Sequence, residues 1–266
     1  MPRVRRSAAD QELVDRHGPD FSEALARGLR VLTAFDATRR QMSLSDVAKV
    51  VELPRATVRR ALYTLARLGY VEEDGRLFRL APQVLGLASA YLASNGMSAV
   101  LQRAVEGIAT RLGESCSAAI LDGQEIVFVA RAGPTRLLGA GIDIGYRLPA
   151  YCSSMGRALL AGLDAAELTA FLERTRLAAI TPHTITDRRR LREAIRRDGA
   201  QGYSLVEEEV EIGFRSVAVP VRRYDGRVAC ALNAGAPVDR VAAERLRAEF
   251  LPVLREVAAE LGPLLL

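Results

Sequence analysis

The stretch from Ser43 to Leu80 constrains the fold more than any other part of the chain. Its first half, Ser43-Leu44-Ser45-Asp46-Val47-Ala48-Lys49-Val50-Val51-Glu52-Leu53-Pro54-Arg55-Ala56-Thr57-Val58-Arg59-Arg60-Ala61-Leu62, reads as a helix, a tight turn and a second helix, with Pro54 suited to the first turn of the second. On a helical wheel Val58, Ala61, Leu62 and Leu65 share one face. Ala56, Arg60, Tyr63 and Arg67 share the other, with Arg59 at its edge, so the cationic face points away from the core. After Leu68-Gly69 the periodicity switches to Tyr70-Val71-Glu72-Glu73 and Arg76-Leu77-Phe78-Arg79-Leu80, two short strands joined by the hairpin signal Asp74-Gly75. Helix, tight turn, helix and hairpin in this order describe a winged helix-turn-helix, in which small Ala48 lets the helices cross closely. The turn of such motifs usually carries glycine where this chain has Glu52, and a non-glycine residue in a left-handed turn costs about 1 kcal/mol.

Charge supports the same segment. Of a formal net charge of +5, residues 1 to 96 hold 15 basic and 11 acidic side chains, and residues 21 to 70 alone hold 9 against 4. Every basic residue except Lys49 is arginine, so the clustering, not the choice of cation, is informative. Arginine reads guanine edges and clamps phosphates through a planar fork. The candidate DNA contacts are Arg55, Ala56, Thr57, Arg59, Arg60 and Tyr63 on the second helix, with Arg76 and Arg79 on the return strand of the wing.

A length of 266 residues leads us to expect two domains. The 49% hydrophobic and 26% charged composition is that of a folded chain. Residues 1 to 20, beginning Met1-Pro2-Arg3-Val4-Arg5-Arg6 and ending at Gly18-Pro19, read as a mobile basic arm. A first helix should run from Phe21 to about Ala37, with Leu25, Leu29, Leu32 and Phe35 in stripe and Ser22 as cap. The DNA-binding domain is thus residues 21–81, and residues 82–96 are a linker helix opened by Pro82 and ended by Ser94-Asn95-Gly96, which could also be a dimer contact.

Residues 97–266 alternate short strands and helices, which predicts an α+β domain with an antiparallel sheet. The expected elements are a helix over 99–112, strands at 115–121, 125–130 and 137–148, helices near 165–174 and 188–198, strands at 203–208, 214–222 and 227–233, and a closing helix with Leu246, Phe250, Val253, Leu254 and Val257 in stripe. No window approaches the length of a membrane span and no signal peptide is present, so a cytoplasmic protein without membrane contact is expected. Three distant cysteines and two histidines give neither a disulfide framework nor a metal-ligand spacing, and no cofactor is expected.

Over nearly its whole length the chain resembles the IclR family of bacterial transcriptional regulators. The resemblance rests on Asp46-Val47-Ala48 with Pro54 to Leu62, on Leu148-Pro149-Ala150-Tyr151-Cys152-Ser153-Ser154-Met155-Gly156-Arg157-Ala158-Leu159-Leu160, and on Glu207-Glu208-Glu209 leading to Gly213-Phe214-Arg215-Ser216-Val217-Ala218. The wording around Leu148 to Leu160 is most similar to the subgroup that controls protocatechuate and 4-hydroxybenzoate catabolism in the β-ketoadipate pathway. The resemblance implies a winged helix-turn-helix followed by an effector domain similar to GAF and PAS sensors, a homodimer or tetramer on a palindromic operator in promoter DNA, and a small carboxylic acid as effector. It points to 4-hydroxybenzoate or protocatechuate, with glyoxylate, pyruvate or β-ketoadipate as the aliphatic alternative.

By the family's motifs the effector site comprises Leu137, Leu148, Ser154, Met155, Phe214, Ser216, Asn233 and Gly235, with Cys152 and Ser153 at its edge. Asn233 and Gly235 stand where relatives often carry serine. The residues give their own reason for an anion site, since Cys152-Ser153-Ser154 precede a helical run and free backbone N–H groups favour a carboxylate there. A competing reading makes the chain a hydrolase, with Cys152 or Ser153 as nucleophile at a helix N-terminus and His183 as base; no third, orienting group is evident, and no catalytic activity is expected. Glu207, Glu208, Glu209 and Glu211 read as a solvated or interdomain charge surface, with Arg215 as a partner for one of them.

Overall fold

The computed structural model describes residues 18, 20–36, 38–94, 97–133 and 143–265, without the side chains of residues 92–94. The basic arm up to residue 17, the Asn95-Gly96 helix end and Leu137 lie outside the described residues. The chain divides into two compact units between Tyr91 and Leu92.

In the first unit, α1 (Glu23–Leu32) is capped by Ser22, whose hydroxyl accepts from Leu25 N. It ends at Leu32, short of the expected Ala37. Its Leu25 and Leu29 are exposed; Val31, Leu32, Ala34 and Phe35 enter the core instead. A two-residue strand that sequence reading missed, β1 (Met42–Ser43), leads into α2 (Leu44–Val50), where Ser43 and Asp46 form a reciprocal capping box. Glu52 is left-handed, with φ of 52°, as the turn requires. The turn is held by Leu53 N donating to Ala48 O at 3.2 Å and Arg30 Nη2 to Val51 O at 2.5 Å. Pro54 is the cap of α3 (Arg55–Arg67) and not a member of its first turn.

The α3 stripe enters the core through Val58 and Leu62, with Ala61 and Leu65 partly buried against it. The wing is β2 (Val71–Asp74) and β3 (Leu77–Leu80), and β1 adds to its free edge in the order β1-β3-β2. Asp74 pairs with Leu77, so the connecting residues are Gly75 and Arg76, with the left-handed position falling on Gly75. Helix α4 (Val84–Ser94) follows; it contains no charged residue, and Leu85, Leu87 and Tyr91 are exposed on it.

The second unit is a six-stranded antiparallel sheet with helices on both faces. Helix α5 (Met97–Leu112) precedes the hairpin β4 (Ser115–Asp122) and β5 (Glu125–Ala132). Strand β6 is Arg147–Pro149; of the strand expected over 137–148, residues 143–146 are not in a strand and residues 137–142 lie outside the described residues. A 3-10 turn, Ala150–Cys152, leads to α6 (Ser154–Leu160), followed by α7 (Ala165–Arg174) and α8 (Arg188–Gln201). Strands β7 (Ser204–Glu207), β8 (Phe214–Arg222) and β9 (Val228–Pro237) complete the sheet in the order β6-β5-β4-β9-β8-β7. The chain closes with α9 (Ala243–Arg245), a π turn at Leu246–Phe250 and α10 (Leu251–Leu261).

Strand alternation sorts the sheet into two cores. Val217, Val219 and Val221 on β8, with Cys230, Leu232, Ala234 and Ala236 on β9, pack with α5 and α10. Ala218 and Ala231 face the other way and pack with α6, α7 and α8. On the ladder between β4 and β5, Ala118 pairs with Ala130 but Ala119 pairs with Phe128, leaving Val129 as a bulge. The bulge reverses the parity of β5: Phe128 and Arg131 come to the same side of the sheet although an odd number of positions separates them.

Candidate functional site

The first unit presents a polar surface. Arg55, Ala56, Arg59, Arg60 and Tyr63 are exposed along α3, Thr57 is half-buried, and Arg76 is exposed at the wing turn. Arg67 lies over the Tyr63 ring at 5.2 Å, which stiffens the outer face of the helix. Arg79 is exposed but bridges to Glu72 across the hairpin at 2.7 Å. Such a pair between exposed groups is worth about 0–1 kcal/mol and yields readily to a phosphate. Arg60 and Thr57 also line a groove between α1 and α3 whose apolar wall includes Leu25, Leu29 and Leu65.

The second unit contains a cavity of about 250 Å³ on the face of the sheet that carries α6, at the small end of ligand-site sizes. Of the residues expected at the effector site, Leu148, Ser153, Ser154, Met155, Phe214, Ser216, Asn233 and Gly235 all line it. They come together because β8 and β9 turn Phe214, Ser216, Asn233 and Gly235 to that face, while the 3-10 turn delivers Ser153, Ser154 and Met155 to its rim. Gly235 has a steric reason to be glycine: a Cβ there would lie 2.3 Å from Phe214 Cζ.

Two expectations need correction. Cys152 does not line the cavity. It is fully buried in the core under α6, its thiol donates to Pro149 O at 3.7 Å, and burial pushes its pKa up to about 12. Desolvation favours the protonated thiol, which does not suit the nucleophile of the hydrolase reading. The anion site expected at the start of α6 is also engaged internally: Ser153 Oγ accepts from Gly156 N at 3.2 Å, and Ser154 Oγ shares a 2.8 Å hydrogen bond with Ser216 Oγ.

The cation in the wall is instead Arg131, which sequence reading missed. Its half-buried guanidinium lines the cavity with no hydrogen-bond or ion-pair partner among the described residues. Burial holds its pKa below the ordinary value, opposed by the charge of Asp143. The apolar part of the lining comprises Phe128 and Tyr146, edge to face at 5.9 Å, with Leu148, Met155, Val206 and Phe214. A hint was legible, since Arg131 is the one charged residue in the run Ile126-Val127-Phe128-Val129-Ala130-Arg131-Ala132.

The acidic cluster is not uniformly solvated. Glu207 is exposed and pairs with Arg215 at 3.2 Å, the partner expected for the cluster. Glu209 is buried, and its Oε2 accepts from Arg157 Nη2 at 2.6 Å and Ile185 N at 3.2 Å. Burial raises its pKa while Arg157 opposes the rise. Arg157, itself buried, also donates to Tyr151 O at 3.0 Å, so this ion pair ties α6 to the β7–β8 connection. Glu208 is left-handed, with φ of 56°, and its Oε1 accepts from Gly213 N at 2.8 Å. Glu208, Glu209 and Glu211 form one edge of the cavity.

Among the described residues no group of three metal-ligating side chains converges, and no helix is long and apolar enough to cross a membrane.

Comparison with known proteins gives a consistent picture. Residues 24–75 match the IclR helix-turn-helix domain, and residues 89–262 match the bacterial transcriptional regulator IclR C-terminal domain. The Pca regulon regulatory protein of Pseudomonas putida is 41% identical over 244 residues, covering 91% of this chain and 84% of that protein. The p-hydroxybenzoate hydroxylase transcriptional activator of Acinetobacter baylyi is 34% identical over 247 residues, covering 91% of each. Among solved structures, an IclR homolog from Microbacterium hydrocarbonoxydans complexed with 4-hydroxybenzoate superposes with a TM-score of 0.78 at 27% identity, covering 90% of this chain and 98% of that one.

Proposed function

The chain belongs to the IclR family of bacterial transcriptional regulators, and we propose that it senses a hydroxybenzoate-type acid in the cavity and changes its grip on promoter DNA in response. The observation that carries this reading is Arg131, the one arginine or lysine among the described lining residues and without a hydrogen-bond or ion-pair partner for its guanidinium among them, beside the aromatic and aliphatic surface of Phe128, Tyr146, Leu148, Met155 and Phe214. A carboxylate is the natural partner for that fork, and bidentate Arg–carboxylate pairs are among the stronger polar contacts. Phe128, Tyr146 and Phe214 offer ring surface that favours an aromatic acid over glyoxylate or pyruvate. Solved structures similar to this chain that are complexed with 4-hydroxybenzoate or 3-hydroxybenzoic acid support the same class.

DNA is held by the outer face of α3 and by the wing, through Arg55, Ala56, Thr57, Arg59, Arg60, Tyr63, Arg76 and Arg79. A homodimer or tetramer on a palindromic operator places two such helices in successive major grooves, and the exposed apolar residues of α4 suit a contact between copies. The protein acts in the cytoplasm, where its DNA is. Regulation is linkage: the acid shifts DNA affinity only as far as it binds the DNA-competent and incompetent forms differently.

The test is thermal unfolding of the full chain with 4-hydroxybenzoate. A ligand at 100 times its dissociation constant adds about 2.7 kcal/mol to stability. We expect that gain for the wild-type chain and its loss in Arg131→Gln, whose own unfolding temperature should stay close to wild type. An equal gain in the variant would remove Arg131 from the site.

A further inference from the structure

The wall of the cavity contains two buried polar atoms without a hydrogen-bond partner among the described residues, the hydroxyl of Ser115 and the carboxamide oxygen of Asn233. Buried polar atoms in folded proteins almost always have partners, so an orphan needs a cause. These two are neighbours. The β4–β9 register sets Ser115 opposite Gly235 and Ser117 opposite Asn233, which makes Ser115 and Asn233 a diagonal pair, roughly 7–8 Å apart along the ladder. Gly235, having no side chain, lets the Phe214 ring pack against the backbone opposite Ser115.

Strand order turns this pair into the middle of a polarity. Arg131 stands on β5, Ser115 on β4, Asn233 on β9, and Glu208, Glu209 and Glu211 on the connection between β7 and β8. The cavity therefore runs from a cation, past two unsatisfied polar atoms, to a carboxylate edge. No second arginine or lysine lines it among the described residues, and Arg157 behind it is already bound to Glu209.

We propose that Asn233 and Ser115 are specificity-determining residues that accept hydrogen bonds from ring hydroxyls of the effector, so that the cavity takes a hydroxylated monocarboxylic acid and refuses a dicarboxylic one. The proposal rests on the sensor reading above. A carboxylate seated on Arg131 points the rest of the molecule toward the two acceptors, where a hydroxyl satisfies them and an unsubstituted ring leaves them unpaired in a dry wall. A second carboxylate would set acceptor against the Asn233 carboxamide oxygen and negative charge against Glu208 and Glu211, with no second arginine or lysine among the described lining residues to meet it.

Isothermal titration of the full chain with protocatechuate, 4-hydroxybenzoate, benzoate and β-ketoadipate decides the matter. The wild-type protein should bind the two hydroxylated acids at least about tenfold more tightly than benzoate, and β-ketoadipate more weakly than benzoate. Asn233→Leu should remove most of the hydroxyl preference, bringing the ratio of 4-hydroxybenzoate to benzoate affinity close to one. Ser115→Ala, a smaller change to the fold, should reduce the preference for protocatechuate over benzoate if Asn233→Leu proves unstable. Equal affinity for benzoate and 4-hydroxybenzoate, or tighter binding of β-ketoadipate, overturns the specificity assignment and leaves the sensor reading intact. Binding of none of the four acids ends the sensor reading, and the assignment with it.

Discussion

The two units make their candidate sites from opposite materials. On α3 and the wing, charged side chains stand in water, and those that pair, such as Arg79 with Glu72, do so weakly across an exposed hairpin. Around the cavity, polar groups lie within or beside the core, and each is either firmly paired, as Arg157 is with Glu209, or left unpaired. The difference teaches where stability and recognition are separable. A surface that meets a polyanion can lose one contact and keep its fold. A cavity cut into a core cannot lose a buried partner without exposing the energetic cost of the other.

The sharpest way to break this comparison is Arg157→Met. It strands the Glu209 carboxylate in the core, and we expect a loss of about 3–5 kcal/mol in unfolding free energy by denaturant titration. A loss below about 1 kcal/mol would mean that the pair behaves like a surface bridge. Next in size is Arg60→Ala, for which specific operator affinity, measured by fluorescence anisotropy, should fall by about 1–3 kcal/mol if the side chain reads a base, with unfolding unchanged. Unaltered DNA binding removes Arg60 from the interface. The smallest change is Glu52→Gly, expected to stabilise the first unit by about 1 kcal/mol because φ of 52° is natural for glycine. No gain would indicate that the flanking hydrogen bonds already offset the strain.

The same contrast explains what could be read from sequence. Everything decisive in the first unit is local: Ser22 caps three residues ahead, the helix-turn-helix fits within twenty-four residues from Leu44 to Arg67, and Gly75 sits within its own hairpin. The pairing of β1 with β3 and the hydrogen bond from Arg30 to Val51 O join residues far apart in sequence, and neither has a local signal. The cavity draws on residues from Ser115 to Gly235, so Ser153, Ser154, Ser216, Phe214 and Asn233 were legible through family motifs and not through spacing, whereas Ser115 and Ser117 carry no motif that marks them. Arg131 escaped for a specific reason. Counting by twos along β5 puts it on the side of Val127 and Val129, and the bulge at Val129 turns it to the side of Phe128 instead. Bulges leave no parity signal in a single sequence. Cys152 precedes the same helix start as Ser153 and Ser154, yet its side chain turns into the core, a direction that nearness to a helix terminus does not fix.

At Gly235 the missing Cβ governs the position of the Phe214 ring, which closes one side of the cavity. A single added carbon at 235 would drive the ring away from β9 and redraw the contour offered to a guest molecule, while the Asn233 and Ser115 backbones stayed in register. Recognition here is thus tunable by one methyl group without rebuilding the sheet, an inexpensive route by which a lineage of sensors can drift from one metabolite to the next.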